Sequence, residues 1–213
     1  GITGIAMKNN PSDEVKNCLE KIDESSEYLL SLINDVLDLT HIESGKVKYN
    51  PVPADVKNIT DSALDIIKGF LTNRDINYKI QCEDAKIPNV LADPARLRDV
   101  LVNILSYAVK FTPDGGTITF EAQCQEKGGD GYINMRYRIS DTGNGMSEES
   151  TKEVFEEFAQ EDSDVRTQYH GVGLGMAIVK KYVDKMGGTI SVQSKRNRGP
   201  TFQVILHLKF KIR

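Results

Sequence analysis

The sequence has no tryptophan, only three cysteines and no long apolar run. The cysteines, Cys18, Cys82 and Cys124, are odd in number and widely spaced. This spacing argues against a disulfide framework and a zinc site, and it indicates reduced thiols in a cytosol-facing chain. Because no stretch approaches the roughly eighteen consecutive apolar residues of a membrane-spanning helix, the chain is expected to form a soluble unit.

The chain also lacks a large excess of positive or negative charge. The 213 residues include 27 Lys and Arg against 31 Asp and Glu, which gives a net charge of −4, and no long run has a single sign. A nucleic-acid-binding role is therefore not expected. With 39% apolar residues the chain can bury a proper core, which excludes a disordered tail and predicts one large domain or one domain with an appendage.

The first fifty residues read as a helical appendage. A turn at 9–13 offers Ser12 or Asp13 as a helix cap, and Gly45 marks the end of a long helix. Its apolar face is too wide for one partner helix, so a dimeric four-helix bundle is expected, with packing against the following domain as the alternative. The residues that define this face by their spacing are Leu19, Ile22, Leu29, Ile33 and Val36.

A second region, from residue 47 onward, mixes helices and strands. Its strands are grouped mostly apart from its helices, which predicts an α+β fold: a two-layer α/β sandwich whose antiparallel or mixed sheet has helices on one face. The predicted helices are 54–73, 94–111, 147–158 and 174–186, and the predicted strands are 47–52, 77–82, 90–92, 117–125, 132–140, 189–194 and 201–210.

A glycine-containing turn, 141–145, directly follows the predicted strand 132–140. Gly143 and Gly145 would let the backbone approach a flat ligand closely, while Asp141 at the strand end could accept a hydrogen bond from an exocyclic amine. Taken alone, the same pattern fits a structural Asx-type corner.

A second glycine cluster, Gly171, Gly173 and Gly175, precedes the apolar helical stretch 176–183. Glycines before a helix expose backbone N–H groups and the positive end of the helix dipole, which favour an anion such as phosphate. A dinucleotide-binding fingerprint is rejected because the polar stretch 161–170, rather than a strand, comes before the glycines and looks like a lid.

Two further clusters are ambiguous by themselves. Asn103, Tyr107 and Lys110 share one face of a predicted helix, where an amide and an ammonium could meet metal and phosphate, but an ordinary amphipathic helix explains the pattern equally well. Phe155 and Phe158 form an aromatic pair that is more often core than ligand-binding.

In this order and at these separations, the clusters resemble the catalytic and ATP-binding core of sensor histidine kinases of the hybrid type, in the GHKL superfamily. Residues 93–113 are similar to the N box of that family, 141–145 to its first glycine box, 154–158 to its F box, and 171–178 to its second glycine box. Residues 199–202 look like its closing hairpin.

The resemblance implies two domains and a cellular setting. Residues 1–46 would be part of a dimerisation and histidine-phosphotransfer helical hairpin, and 47–213 would be a catalytic ATP-binding domain of the Bergerat type. The chain would form a homodimer through the long N-terminal helix and act on a response-regulator receiver domain. It would be the cytoplasmic portion of a membrane-anchored sensor kinase.

The resemblance also implies a site for ATP and Mg²⁺. Asp141 would read the adenine amino group, Lys110 would contact phosphate, and Asn103 would help to hold the metal-triphosphate group, with Asn103 and Lys110 as the catalytic residues. The γ-phosphoryl group would pass to a histidine and then to a receiver aspartate. The implied nucleotide-binding residues are Asn103, Lys110, Asp141, Gly143, Gly145, Phe158, Gly171, Gly173, Leu174 and Gly175.

Two departures from the family pattern matter. The acceptor histidine is expected just before the segment that resembles residues 1–6, and His41, His170 and His207 are not expected to replace it, so this chain should not phosphorylate itself. Tyr107 stands where the N box normally has a second Asn, the usual Mg²⁺ ligand, and a neutral phenol is a poor ligand for a hard cation.

Three functions follow from these observations. The first is the kinase core of a sensor histidine kinase, and the second is a pseudokinase module that dimerises and relays a signal without phosphotransfer because of Tyr107. The third, an ATPase that drives conformational work, is disfavoured because relatives of that kind usually carry a carboxylate base where Asn103 sits.

Overall fold

A computed structural model describes residues 2–7, 12–46, 48–72, 74–82, 89–126, 131–159 and 173–210. The helices in these ranges are α1 (Ile2–Met7), α2 (Asp13–Glu43), α3 (Val56–Leu71), α4 (Pro94–Phe111), α5 (Glu148–Glu153) and α6 (Gly175–Lys185). The strands are β1 (Val52–Ala54), β2 (Asn77–Cys82), β3 (Val90–Ala92), β4 (Thr117–Glu126), β5 (Tyr132–Asp141), β6 (Thr189–Lys195) and β7 (Arg198–Phe210).

The strands form one mixed sheet in the order β1-β3-β7-β5-β4-β2, with β6 also paired to β7. Only β2 and β4 run parallel among the described pairs, and the others are antiparallel. The register places Ala122, Tyr137 and Val204 side by side across β4, β5 and β7, and all three are buried. The row lies on the face that the helices cover.

Helix α4 packs against α3 on one side and against α6 on the other, over this sheet. The side chain of Asp93 caps α4 by accepting a hydrogen bond from the Arg96 N–H at 3.2 Å, and Pro94 occupies the first turn, where a missing N–H costs nothing. The apolar side of α4, including Leu101 and Leu105, is fully buried. The predicted two-layer α/β sandwich is confirmed.

Helix α2 extends away from this sandwich. Leu29, Ile33 and Val36 on its predicted apolar face are about half exposed, whereas Leu39 and Ile42 near its end are buried. The predicted packing against the following domain therefore applies to the end of the helix alone. Ser12 occupies the cap position without a side-chain hydrogen bond to the backbone.

Several element boundaries differ from the sequence prediction. The predicted helix 147–158 ends at Glu153, and Phe158 adopts a φ of 63°, which a right-handed helix cannot contain. The strand predicted over 47–52 instead spans Val52–Ala54, and the last strand begins at Arg198 rather than at residue 201. The predicted lid over 161–170 lies outside the described residues.

In the part of the chain that the structure describes, no helix is both long enough and apolar enough to cross a bilayer.

Candidate functional site

The side chain of Asp141 sits at the end of β5 and is 7% exposed. Its Oδ1 accepts a hydrogen bond from the Gly143 N–H at 2.8 Å, whereas its Oδ2 is buried without a hydrogen-bond partner. Burial raises the pKa of this carboxyl to about 6, against a smaller lowering by the Gly143 N–H. A buried acceptor without a partner costs free energy, so Oδ2 is suited to a donor supplied by a ligand.

The loop after Asp141 requires glycine because it is tightly packed. A Cβ on Gly143 would collide with the backbone oxygen of Phe111 at the end of α4, and a Cβ on Gly145, whose φ is 67°, would collide with the backbone oxygen of Lys195. On the other side, the Gly199 N–H donates to the Gly143 oxygen at 2.9 Å. These contacts fix the Asp141 carboxyl between α4 and the β6–β7 turn.

Oδ1 of Asp141 closes an Asx-type corner, whereas Oδ2 of the same group has no hydrogen-bond partner. The role of Asp141 in binding a ligand stays a prediction.

Asn103 lies where α4 meets the start of α6. Its Nδ2 donates to the backbone oxygen of Asp99 at 3.0 Å, and its Oδ1 lies 3.9 Å from the position that a Cβ on Gly175 would take. The amide oxygen of Asn103 thus lies beside the N-terminus of α6.

Lys110 lies two turns of α4 beyond Asn103. Its Nζ is 5.3 Å from the ring centroid of Phe111, and burial lowers its pKa. A half-buried ammonium lacks part of its hydration shell, so it would gain from contact with a phosphate.

Tyr107 lies between these two residues on α4 but belongs to an aromatic cluster. Its ring centroid is 4.4 Å from that of Phe111 and 5.3 Å from that of Phe202, in an edge-on arrangement. Its hydroxyl donates to the Met146 sulfur at 3.6 Å, just after the glycine loop. Phe155 packs on Phe202 with centroids 6.4 Å apart.

The aromatic pair of the sequence is therefore divided between two environments. Phe155 belongs to the packed cluster, whereas Phe158 is 60% exposed. Phe158 was predicted to bind nucleotide, and this assignment stays a prediction.

The second glycine cluster is described from Gly173 onward, and Gly171 lies outside the described residues. Gly173 has a φ of 77°, and a Cβ there would collide with the backbone of Ala159. Leu174 is buried and precedes α6 without a side-chain cap, so no side chain of its own competes with a ligand for the first N–H groups.

Few side chains here could ligate a divalent cation directly. The described residues contain no group of three or more His, Cys, Asp or Glu side chains that could hold a metal ion. Asn103 offers one amide oxygen, and the Tyr107 hydroxyl is engaged with Met146. Mg²⁺ at a nucleotide site takes most of its oxygen ligands from phosphates and water, so the direct protein ligand available here is the amide oxygen of Asn103.

The described histidines, His41 and His207, have no contact with Asp141, Asn103 or Lys110 among the described hydrogen bonds and ion pairs. His41 is exposed near the end of α2, and Nδ1 of His207 is hydrogen-bonded to Asn134 on the strand next to it. His170 lies outside the described residues. Two supporting residues were not predicted from the sequence as part of the site: Met146, whose N–H donates to the Ser194 hydroxyl at 2.8 Å, and Ser194 itself.

Comparison with protein families gives one match. Residues 92–211 match the family described as histidine kinase-, DNA gyrase B-, and HSP90-like ATPases. The matched range contains α4, the Asp141 loop and α6.

Similar curated proteins are sensor kinases. The autoinducer 2 sensor kinase/phosphatase LuxQ of Vibrio parahaemolyticus serotype O3:K6 is 33% identical over 212 residues, which are 98% of this chain and 25% of LuxQ. The signal transduction histidine-protein kinase BarA of Escherichia coli K12 is 30% identical over 209 residues, which are 98% of this chain and 22% of BarA. The chain spans about a quarter of the length of these relatives.

A solved structure extends the similarity to the whole described chain. The crystal structure of full-length ShkA in complex with AMPPNP aligns with a TM-score of 0.77 at 25% sequence identity. The alignment covers 100% of this chain and 42% of ShkA.

Proposed function

Because this chain belongs to the family of histidine kinase-, DNA gyrase B- and HSP90-like ATPases and is homologous to histidine kinases, we propose that it binds ATP at Asp141 and acts as the catalytic part of a sensor kinase. The observation that carries the proposal is the unpartnered, buried Oδ2 of Asp141. An adenine amino group would supply the missing donor, and the flat base would lie along the glycine loop.

The phosphates would extend from this loop along α4, past Lys110 and toward Asn103 and the start of α6. Lys110 would meet them with a positive charge, and the N-terminus of α6 with Gly173, Leu174 and Gly175 would offer N–H groups. Gly171 would join them. The bound AMPPNP of ShkA supports a nucleotide in this fold.

The chemistry proposed is transfer of the γ-phosphoryl group to a histidine of a helical hairpin and then to a receiver aspartate. Catalysis of this kind depends mainly on positioning and charge, which are the tasks of Asn103 and Lys110 here. Asn103 would be the side chain that holds a nucleotide-bound Mg²⁺, which would supply neutralising charge to the phosphates.

The domain boundary and the partners belong to the same proposal. Residues 1–46 would be part of the dimerisation hairpin and 47–213 the catalytic domain. The exposed Leu29, Ile33 and Val36 of α2 would be covered by a second copy of the chain. A receiver domain would accept the phosphoryl group, and the parent protein would be anchored in a membrane with this part in the cytoplasm.

One observation favours a second function. Tyr107 fills the position of the expected metal ligand and is held by Phe111, Phe202 and Met146, so it cannot reach toward phosphate without leaving this cluster. A module that binds nucleotide weakly and relays a conformational signal without phosphotransfer is the alternative.

A transfer assay separates these functions. The chain is mixed with labelled ATP, Mg²⁺ and a separate helical-hairpin domain that contains an acceptor histidine. Labelled phosphohistidine on the added domain supports the kinase, and the absence of any turnover despite nucleotide binding supports the relay module. Release of free phosphate without labelled histidine would contradict both functions and indicate an ATPase.

A further inference from the structure

One ammonium group joins three elements on the side of the molecule where α2 meets the sandwich. Nζ of Lys181 lies 2.8 Å from a carboxylate oxygen of Glu43, the last residue of α2, and 2.8 Å from one of Glu157. Lys181 lies in the middle of α6, and Glu157 lies in the turn that follows α5. This three-residue contact is called the Lys181 bridge below.

Neighbouring contacts place the end of α2 firmly on α6. Leu39 and Ile42 are buried there, and Nζ of Lys185 donates to the Ile42 oxygen at 3.4 Å. The ammonium of Lys181 lowers the pKa of Glu43, and the two carboxylates raise the pKa of Lys181, as expected for groups that attract one another. The end of α2 is thus held by apolar contact and by charge together.

The Lys181 bridge is also connected to the proposed phosphate end of the cleft. Gly175, at the start of α6, lies beside Asn103. Gly173 packs against the backbone of Phe158 and Ala159, which directly follow Glu157. If nucleotide binding moved either segment, the movement would therefore reach Lys181, which lies about one and a half turns after Gly175 in α6.

We propose that Lys181 is a positioning residue, which holds the end of α2 and the turn at Glu157 against α6 and so couples the nucleotide cleft to the helical hairpin. The coupling rests on the proposed function, because it requires a nucleotide in the cleft. The holding of α2 rests on the contacts of Lys181 alone.

The ion pairs of Lys181 should contribute more to holding the end of α2 than an ordinary surface ion pair would. An exposed pair usually contributes little, because solvent screens it. Here one ammonium lies 2.8 Å from an oxygen of each of two carboxylates, Glu43 and Glu157, so the two carboxylates are close neighbours. Removing the ammonium leaves Glu43 and Glu157 to repel each other, so the contact changes from attraction to repulsion.

Hydrogen exchange tests the proposal in the chain as it stands. The variants are Lys181→Ala and the charge-conserving Lys181→Arg, and the matched control is Lys180→Ala, since Lys180 pairs with Asp184 on the same helix. Exchange is followed at residues 40–46, where the Ser44, Gly45 and Lys46 N–H groups bond back to the helix. Each variant is measured with and without AMPPNP, and its affinity for AMPPNP is measured separately.

Without nucleotide, Lys181→Ala is expected to speed exchange at 40–46 about threefold to tenfold, while Lys181→Arg and Lys180→Ala leave it unchanged. Unchanged exchange in Lys181→Ala would overturn the holding role. With AMPPNP at a concentration that saturates each protein, exchange at 40–46 is expected to change in the unsubstituted chain and not in Lys181→Ala.

Different results would overturn the holding role of Lys181 and its coupling role. An equal response to AMPPNP in the unsubstituted chain and in Lys181→Ala would overturn the coupling. No binding of AMPPNP to the unsubstituted chain would overturn the proposed function and the coupling with it, whereas the holding role is decided by the measurement without nucleotide.

Discussion

The N–H of Gly143 donates a 2.8 Å hydrogen bond to Oδ1 of Asp141, and this bond determines that Oδ2 is the oxygen of the buried carboxyl without a partner. The strand end, the glycine loop and the end of α4 together produce a single acceptor without a partner. The proposed recognition of adenine rests on this relationship.

The pH dependence of stability should report the burial of Asp141. Folding raises the pKa of this carboxyl from 3.8 to about 6. Its contribution to the free energy of unfolding is therefore fully present below pH 3.8, the pKa in the unfolded chain, and is lost as the pH rises through about 6. Relative to Asp141→Asn, the free energy of unfolding should fall by about 2 to 3 kcal/mol between pH 4 and pH 7. Denaturant unfolding across this range measures it, and parallel profiles for the two proteins would contradict the assignment.

Nucleotide affinity should change with pH in the opposite sense. An amino donor binds the ionised carboxyl of Asp141 better than the protonated one, so the affinity for AMPPNP should rise as the pH increases from 5 to 7. Calorimetric titrations at several pH values test this expectation. A flat profile would mean that Asp141 does not contact the base.

The glycine loop should not tolerate a methyl group. Gly143→Ala should lower the free energy of unfolding by about 2 kcal/mol or more, because a Cβ there meets the Phe111 oxygen. Gly69→Ala is the matched control: it lies within α3 with nothing within 4 Å of an added Cβ, and it should stabilise the protein by about 0.5 to 1 kcal/mol. Equal effects of the two substitutions would contradict the close packing of the loop.

Tyr107→Asn should lower the stability of the fold and introduce a dependence of ATP binding on Mg²⁺. Loss of the ring contacts with Phe111 and Phe202 should lower the free energy of unfolding by about 1 to 3 kcal/mol. In this variant the affinity for ATP should depend on Mg²⁺. In the control Tyr107→Phe, which keeps the ring, the affinity should be independent of Mg²⁺. Equally tight, Mg²⁺-dependent binding by the unsubstituted chain and Tyr107→Asn would show that Tyr107 does not impair the site.

Local signals in the sequence predicted much of the fold. Helix α4 has the predicted bounds because Asp93 caps it, Pro94 starts it and its apolar period is regular. Strand β2 also has its predicted bounds, as does β3. The parallel pairing of β2 with β4 could not be predicted, because nothing within either strand specifies its partner.

The remaining features depend on contacts distant in sequence. The predicted helix over 147–158 ends at Glu153, and Phe158 has a φ of 63°, although residues 154–158 contain neither glycine nor proline that would mark this end in the sequence. The contact of Tyr107 with Met146 and the Lys181 bridge to Glu43 join residues 39 and 138 positions apart. A single sequence marks Asp141 as an acceptor but does not reveal which of its oxygens stays unpartnered.

Titration of AMPPNP into the unsubstituted chain, Asp141→Asn and the control Asp61→Asn tests the central claim most directly. In Asp141→Asn the amide oxygen must accept from the Gly143 N–H, so the amide NH₂ takes the place of Oδ2 and faces another donor. The affinity should fall about tenfold or more in Asp141→Asn and stay unchanged in Asp61→Asn, whose carboxylate pairs with Lys57 on the surface. Equal affinity in all three proteins would show that the base is not read by Asp141.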